Sequence, residues 1–389
     1  MPCQIPTDCL NEIFEYLDDE KTLYSLLFVN RLCCKISIRI LWRNIWNFDY
    51  IIYEPLQRKG SAILSTLVAC LPDESKKLLL DNGIFISTPT SKPPLFNYPA
   101  FCKVLSINKI RQIIISILGE TSNTSILNEK DRNYLVINEV IKMFITQISS
   151  LKKLIIYNNK TSTIKPNEIS FTYFSGAIDC LTDLSELHCS SDLPSEFFYQ
   201  LSKICHNLHS LTVILQNWVT NNLKELISLQ INLKDLKLLV SHVHVWTNMI
   251  PTLTKHSSTL KKIHIYNGYN NDLFSFTNNF DLPISFVGLF SNLQEIKFSS
   301  NISISVENIE RFKEFEKLQY VTFPKLQCLK IPHNCTKLEY IMKFLENNGK
   351  RLKKFYIGGN DRALNLSIAK FCPNLKIFLQ LLKMANWIL

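Results

Sequence analysis

The 389-residue chain holds only 9 glycines, too few and too scattered for loops that cradle phosphate. Gly-x-x-x-x-Gly-Lys, Gly-x-Gly-x-x-Gly and Gly-x-Ser-x-Gly are all missing. With them go the backbone turns that nucleotide binding and a serine nucleophile elbow require. His-Glu-x-x-His is also missing, so zinc-protease chemistry has no motif. None of the 12 cysteines forms a Cys-x-x-Cys pair, and the adjacent Cys33 and Cys34 would close only a strained bridge. They are expected to stay reduced, most of them as small buried hydrophobes. His206 with His209, and His242 with His244, have no Cys or carboxylate at ligand spacing, so no metal and no cofactor is expected. Nothing here supports an enzyme. Apolar runs of roughly 18 residues or more are lacking, which argues against a transmembrane helix. The segment Met1 to Asp8 has no basic stretch followed by an apolar one and does not read as a secretory signal. The protein is therefore expected in the cytoplasm, the nucleus or both, where sequons such as Asn123-Thr124-Ser125 and Asn301-Ile302-Ser303 mean little.

What is present suits a folded chain of two or three domains. A hydrophobic fraction of 46% and a mean hydropathy of +0.05 can fill a sizeable core. The net charge of +10 favours acidic partners in a general way, but it is spread along the chain. Neither an RRM, a KH nor a zinc pattern supports nucleic acid as a partner.

In the first fifty residues, Pro6, Thr7 and Asp8 read as a helix start, with a fixed φ, a capping side chain and an acid near the positive end of the dipole. Leu10, Ile13, Phe14 and Leu17 follow at helical spacing on one face. Asp18-Asp19-Glu20 interrupts the pattern and can cap a second helix carrying Leu23, Leu26 and Leu27. A third segment, from about Leu32 to Trp42, places Leu32, Ile36 and Ile40 one turn apart. Three short helices make a marginal core, so apolar side chains left outside it should dock on something. An ordinary helical cap for the next domain fits the same pattern, and patterning alone does not rank the two.

The spacing Ile5-Pro6-x-Asp8-x-Leu10-x-x-Ile13-Phe14-x-x-Leu17, then Leu23, Leu26, Val29-Asn30-Arg31 and Leu41-Trp42, resembles the F-box motif. It departs from the family at Cys33, where a Trp often stands. The resemblance implies a module that binds a Skp-type adaptor and, through it, a cullin–RING ubiquitin ligase. By position, Ile5, Pro6, Leu10, Ile13, Phe14, Leu17, Leu26 and Val29 would supply the apolar contact, with Arg31 at its edge.

From residue 151 the chain repeats a unit Leu-x-x-Φ-x-Φ, where Φ is apolar. Copies begin at Leu151, Leu184, Leu208, Leu233, Leu260, Leu293, Leu326 and Leu352, with a worn one at Leu375. Several intervals fall within the leucine-rich-repeat period of roughly 20–29 residues, and the longer ones need insertions. The period-2 part predicts a short strand with Φ facing the core. Stretches such as Ser195 to Ile204 predict helices between the strands. Units that cannot bury an apolar face alone should stack. The expected architecture is α/β: a three-helix F-box over 1–47, a mostly helical connecting and capping region over 48–150, and an irregular leucine-rich-repeat solenoid, a horseshoe, over 151–389. In the connecting region, Pro89, Pro93, Pro94 and Pro99 mark a turn or linker, and Asp131 to Ser149 reads as a helix through Leu135, Val136, Val140, Ile141, Phe144 and Ile148. Cys205-His206-Asn207-Leu208 and Cys372-Pro373-Asn374-Leu375 resemble the cysteine-containing repeats of F-box proteins. F-box and irregular repeats together resemble the expanded fungal set of F-box leucine-rich-repeat proteins. The apolar tail Trp387-Ile388-Leu389 lacks the polar cap that ends most repeat arrays.

The solvent-facing positions of stacked strands would line the concave surface. There Lys237, Lys262, His264, Lys297, Lys330 and Lys354 form a basic track that could meet an acidic or phosphorylated segment of a target protein. Lysines that merely keep an exposed sheet soluble are the plainer account. The expected function is substrate recognition in a ubiquitin ligase of the Skp–cullin–F-box type. The alternative is a repeat scaffold that binds a partner with no ligase role, a reading that Cys33 keeps open. A basic nucleic-acid-binding solenoid is a third.

Overall fold

A computed structural model of the chain describes residues 5–17, 19–46, 54–89, 92–119, 127–158, 171–216, 218–240, 247–267, 284–300, 314–331, 336–358 and 361–381. It is a mixed α/β chain in which every strand pairing is parallel. The chain divides into two compact units. Unit 1 comprises Met1–Ile156 with Thr163–Leu184, and unit 2 comprises Tyr157–Ser162 with Ser185–Leu389. No helix among the described residues is long and apolar enough to cross a membrane.

Unit 1 starts with helices α1 (Thr7–Glu15), α2 (Glu20–Leu26) and α3 (Arg31–Leu41). The cap expected from Thr7 or Asp8 is not made. Pro6 itself holds the cap position without a side-chain bond, and Asp8 lies in the first turn, facing the positive end of the dipole. Asp19 caps α2 by accepting from the Lys21 and Thr22 N–H groups, and Asn30 Oδ1 caps α3 by accepting from Cys33 N at 2.8 Å. Phe14, Leu23 and Ile36, one from each helix, are buried. Arg43 and Glu15 form an ion pair from beyond α3 back to α1.

The rest of unit 1 comprises α4 (Glu54–Cys70), α5 (Asp73–Asp81), β1 (Val104–Ser106), α6 (Ile107–Gly119), α7 (Glu129–Gln147), β2 (Lys153–Ile156) and α8 (Ala177–Leu181). Helix α7 matches the segment anticipated from its periodicity, but it is enclosed on most sides. Arg132, Asn133 and Glu139 are buried with its apolar residues. Ser75 Oγ donates to the Glu139 carboxylate at 2.5 Å, and Arg132 donates to the Leu118 carbonyl at 2.6 Å.

Strand β1 was not anticipated. It pairs parallel with β2, Leu105 opposite Leu154. Cys102, Leu105 and Ile107 are fully buried, as are Leu151, Leu154 and Ile156. The segment Cys102-x-x-Leu105-x-Ile107 is thus a further copy of the repeated unit, with cysteine in place of the leading leucine. The start of this ladder joins the N-terminal helices: Lys103 N donates to Arg43 O at 2.9 Å, and Trp46 Nε1 to Val104 O at 2.8 Å.

Unit 2 contains β3 (Glu186–Ser190), α9 (Ser195–Ile204), β4 (Ser210–Leu215), α10 (Asn221–Ser228), β5 (Asp235–Val240), α11 (Ile250–Leu253), β6 (Lys262–Asn267) and β7 (Glu295–Ser300). Then follow α12 (Phe315–Leu318), β8 (Cys328–Ile331), α13 (Leu338–Asn348), β9 (Lys354–Gly358), α14 (Arg362–Phe371) and β10 (Ile377–Leu381). Each strand pairs with the next, in phase: Leu187 with Leu211, Leu211 with Leu236, Leu236 with Ile263, and so on to Phe355 with Phe378. The Φ positions point into the core, and the leading leucines from Leu208 to Leu352 are fully buried. Leu375, in the worn copy, is half-buried.

One backbone device recurs at every step within unit 2. The carbonyl of the residue after the leading leucine accepts two N–H groups from the next copy. Ser185 O takes His209 N and Ser210 N, and Lys234 O takes Lys261 N and Lys262 N. Lys353 O takes Lys376 N and Ile377 N, and all such bonds in unit 2 measure 2.7–3.1 Å. Lys103 O does the same in unit 1, receiving Lys152 N and Lys153 N. Buried amides stitch the helical side. Asn348 Nδ2 donates to Val321 O and Phe344 O while Oδ1 accepts from Phe323 N, and Gln230 binds Cys205 O, Leu226 O and Leu208 N in the same manner. Immediately after Asn348 the backbones approach closely, and a Cβ on Gly349 would stand 2.7 Å from Phe371 O.

Replacing Asn348 by Ala leaves the buried Phe323 N–H and the Val321 carbonyl short of a partner, each worth about 1–3 kcal/mol when unsatisfied. Denaturant unfolding of the Asn348→Ala variant should show a loss of at least about 2 kcal/mol. An unchanged midpoint would mean that the amide is dispensable.

Candidate functional site

Two surfaces merit attention. The first is the outside of the α1–α3 module. Phe14, expected in the docking contact, lies in the module's own core at 6% exposure, because the helical stripe it belongs to turns that position toward α2 and α3. Leu10, Leu17 and Leu26 are half-buried, and Pro6 and Arg31 are exposed. Ile5, Ile13 and Val29 are exposed too, with Val29 at 63%. Sequence reasoning missed Phe28, which is 89% exposed in the turn after α2. Its position, off the Leu23–Leu27 stripe and beside Val29, was the available signal. Cys33 is half-buried on α3.

The second surface is the solvent-facing side of the strands in unit 2. The register places His188, Thr212, Lys237, His264, Lys297, Lys330 and Tyr356 in one row across β3 to β9. Four of the six predicted track residues are therefore consecutive cross-strand neighbours: Lys237, His264, Lys297 and Lys330. Lys262 and Lys354 stand in the adjacent row, among Asp235, Glu295 and Cys328.

That arrangement alters the electrostatics expected of the track. Lys262 Nζ lies 3.5 Å from the Asp235 carboxylate, and Lys297 Nζ 2.7 Å from Glu295. Burial pulls the Lys297 ammonium down, but the Glu295 carboxylate overrides it, and the net shift is upward. His264 is not a cation near neutral pH. Burial, then the neighbouring charges of Lys237, Lys297 and Lys330, push its pKa down to about 3, and its Nε2 lies 2.9 Å from Ser299 Oγ. Lys330, lowered by burial and by Lys297, has no carboxylate partner among the described residues. The face thus sets carboxylate-paired lysines and Lys330 around a neutral imidazole, and is less basic than a count of residues suggests.

The described cysteines are all free thiols. Burial raises those of Cys102, Cys180, Cys189, Cys328 and Cys372, Cys180 to about 12, which makes them poor nucleophiles. Among the described residues no group of three His, Cys, Asp or Glu is placed to hold a metal ion. His242, His244, the two sequons and the Trp387-Ile388-Leu389 tail lie outside the described residues.

No family model matches the chain, and no curated protein matches it.

The imidazole of His264 carries a pH prediction. Its folded pKa lies below the unfolded value of about 6.5, so only the unfolded chain gains this proton as pH falls from 6.5 toward 3. Stability should decline over that window, His256, also lowered by burial, adding in the same sense. A His264→Gln variant should show a shallower decline between pH 7 and pH 5 in denaturant titrations. An equal slope would place the missing proton elsewhere.

Proposed function

We propose that the chain is the substrate-recognition subunit of a cullin–RING ubiquitin ligase of the Skp–cullin–F-box type. In this reading α1–α3 form an F-box that docks on a Skp-type adaptor, and the strands and helices of unit 2 form a leucine-rich-repeat solenoid that holds a target protein, acidic or phosphorylated. The observation that carries it is the outer surface of the module. Ile5, Ile13, Phe28 and Val29 are exposed on three short helices whose own core rests on Phe14, Leu23 and Ile36. Apolar side chains left outside so small a core are stabilised by covering them. The spacing from Ile5 to Trp42 adds the resemblance to the F-box, with Arg31 beside the apolar positions. In-phase parallel strands that each touch only their neighbours add the solenoid. The chain itself would do no chemistry. It would bring the target near a conjugating enzyme held by the cullin–RING assembly, and proximity is its contribution to rate. Such a subunit works in the cytoplasm or nucleus.

The test is retention of the full chain on an immobilised Skp-type adaptor. Ile13→Asp and Val29→Asp put charge on exposed positions and should abolish retention without lowering the melting temperature. Phe14→Asp is a poor probe, because a carboxylate in the core unfolds the module. Should the intact chain fail to bind, the ligase role falls and a repeat scaffold is the better account.

A further inference from the structure

Within unit 2, the segments leading into β8, β9 and β10 enclose an open cleft of about 500 Å3. Lys325, Lys350, Arg351, Lys353 and Lys376 line it, and the remaining lining residues are Gln, Asn and Pro, with no carboxylate. All five cations are exposed. Lys325 Nζ donates to Asn292 Oδ1 at 2.6 Å, a neutral partner that leaves the charge uncompensated. None of these five belongs to the strand-face track. They stand at the beginnings of the strands, where the repeated carbonyl device holds the backbone: Lys353 N is bonded to Gln327 O and Lys376 N to Lys353 O.

We propose that this cleft binds an acidic segment of a partner protein, a run of Asp and Glu side chains in extended conformation. The proposal rests on unit 2 being the partner-binding half and is independent of the adaptor. Three features select this ligand. The cleft-lining amides of Lys353 and Lys376 are already spent on the ladder, so these two positions offer long, mobile ammonium groups and not a fixed cradle. A small phosphorylated molecule would want convergent, buried donors. Successive strands lie roughly 4.8 Å apart, so cations leading into three of them cover about 10 Å, the reach of three or four extended residues. No aromatic side chain lines the cleft, which removes the stacking platform that a single-stranded nucleic acid uses.

The experiment is fluorescence anisotropy of a labelled hexaglutamate peptide with the full-length protein, at low salt and at about 0.15 M, where exposed charges are partly screened. The cleft variant Lys353→Glu/Lys376→Glu should weaken binding roughly tenfold or more. The helix-side variant Lys203→Glu/Lys255→Glu, on exposed residues outside both the cleft and the strand face, changes net charge by the same amount and should stay within about threefold. Melting curves check that both variants fold. The proposal is overturned if the peptide does not bind, if both variants weaken alike, or if a single-stranded oligothymidylate of equal charge displaces the peptide at lower concentration. Adaptor retention measured on the same variants separates the two readings. Retention with no peptide binding sinks only the cleft, and peptide binding without retention sinks only the ligase role.

Discussion

Everything in unit 2 depends on one carbonyl per copy. By accepting two N–H groups from the copy that follows, the residue after each leading leucine sets the distance and phase between neighbours. Once that phase is set, every Φ side chain meets a Φ side chain and every outward position meets an outward one, because side chains alternate along a strand. A slip by one residue would exchange the two faces, burying lysines and exposing leucines. The fully buried leucine beside each such carbonyl holds the backbone in place. The register is therefore protected twice, by hydrogen bonding and by the cost of inverting the pattern.

The same constraint governs the surface chemistry. Cross-strand rows turn distant sequence positions into neighbours, and the charge state of each depends on the row it joins. His264 is held neutral because its ring is largely covered and, in second place, because Lys237 and Lys297 stand on either side of it in the row. Lys262 gains the Asp235 carboxylate across the strands, and Lys297 that of Glu295 two residues earlier on its own strand. Ahead of β8, β9 and β10, by contrast, the cations share a cleft whose lining holds no acid.

The repeating half of the fold was legible from spacing, since Leu-x-x-Φ-x-Φ names the buried positions directly and the strands fall where it predicts. Its limits are informative. Cys102 hid a copy because it stands where the other copies have leucine, at a site that requires only an apolar side chain that can be fully buried. In the N-terminal helices, periodicity picked out the apolar stripe but not which part of it faces inward. Phe14 and Ile13 are adjacent in sequence and fall on opposite sides of that boundary. The Lys262–Asp235 ion pair was beyond reach, because the two residues meet only through a register that a single strand does not reveal.

The junction at Arg43, Trp46 and β1 has a consequence for the molecule in a crowded solution. A parallel strand with one free side is a template on which another chain can add a strand. In unit 1 the Arg43 carbonyl accepts the Lys103 N–H, and the Trp46 indole N–H donates to the Val104 carbonyl. These are groups that an invading strand would seek. The polypeptide leaving the third helix thus acts as a stopper on β1. The segment that follows the N-terminal helices thereby shields this edge of the sheet from strand addition.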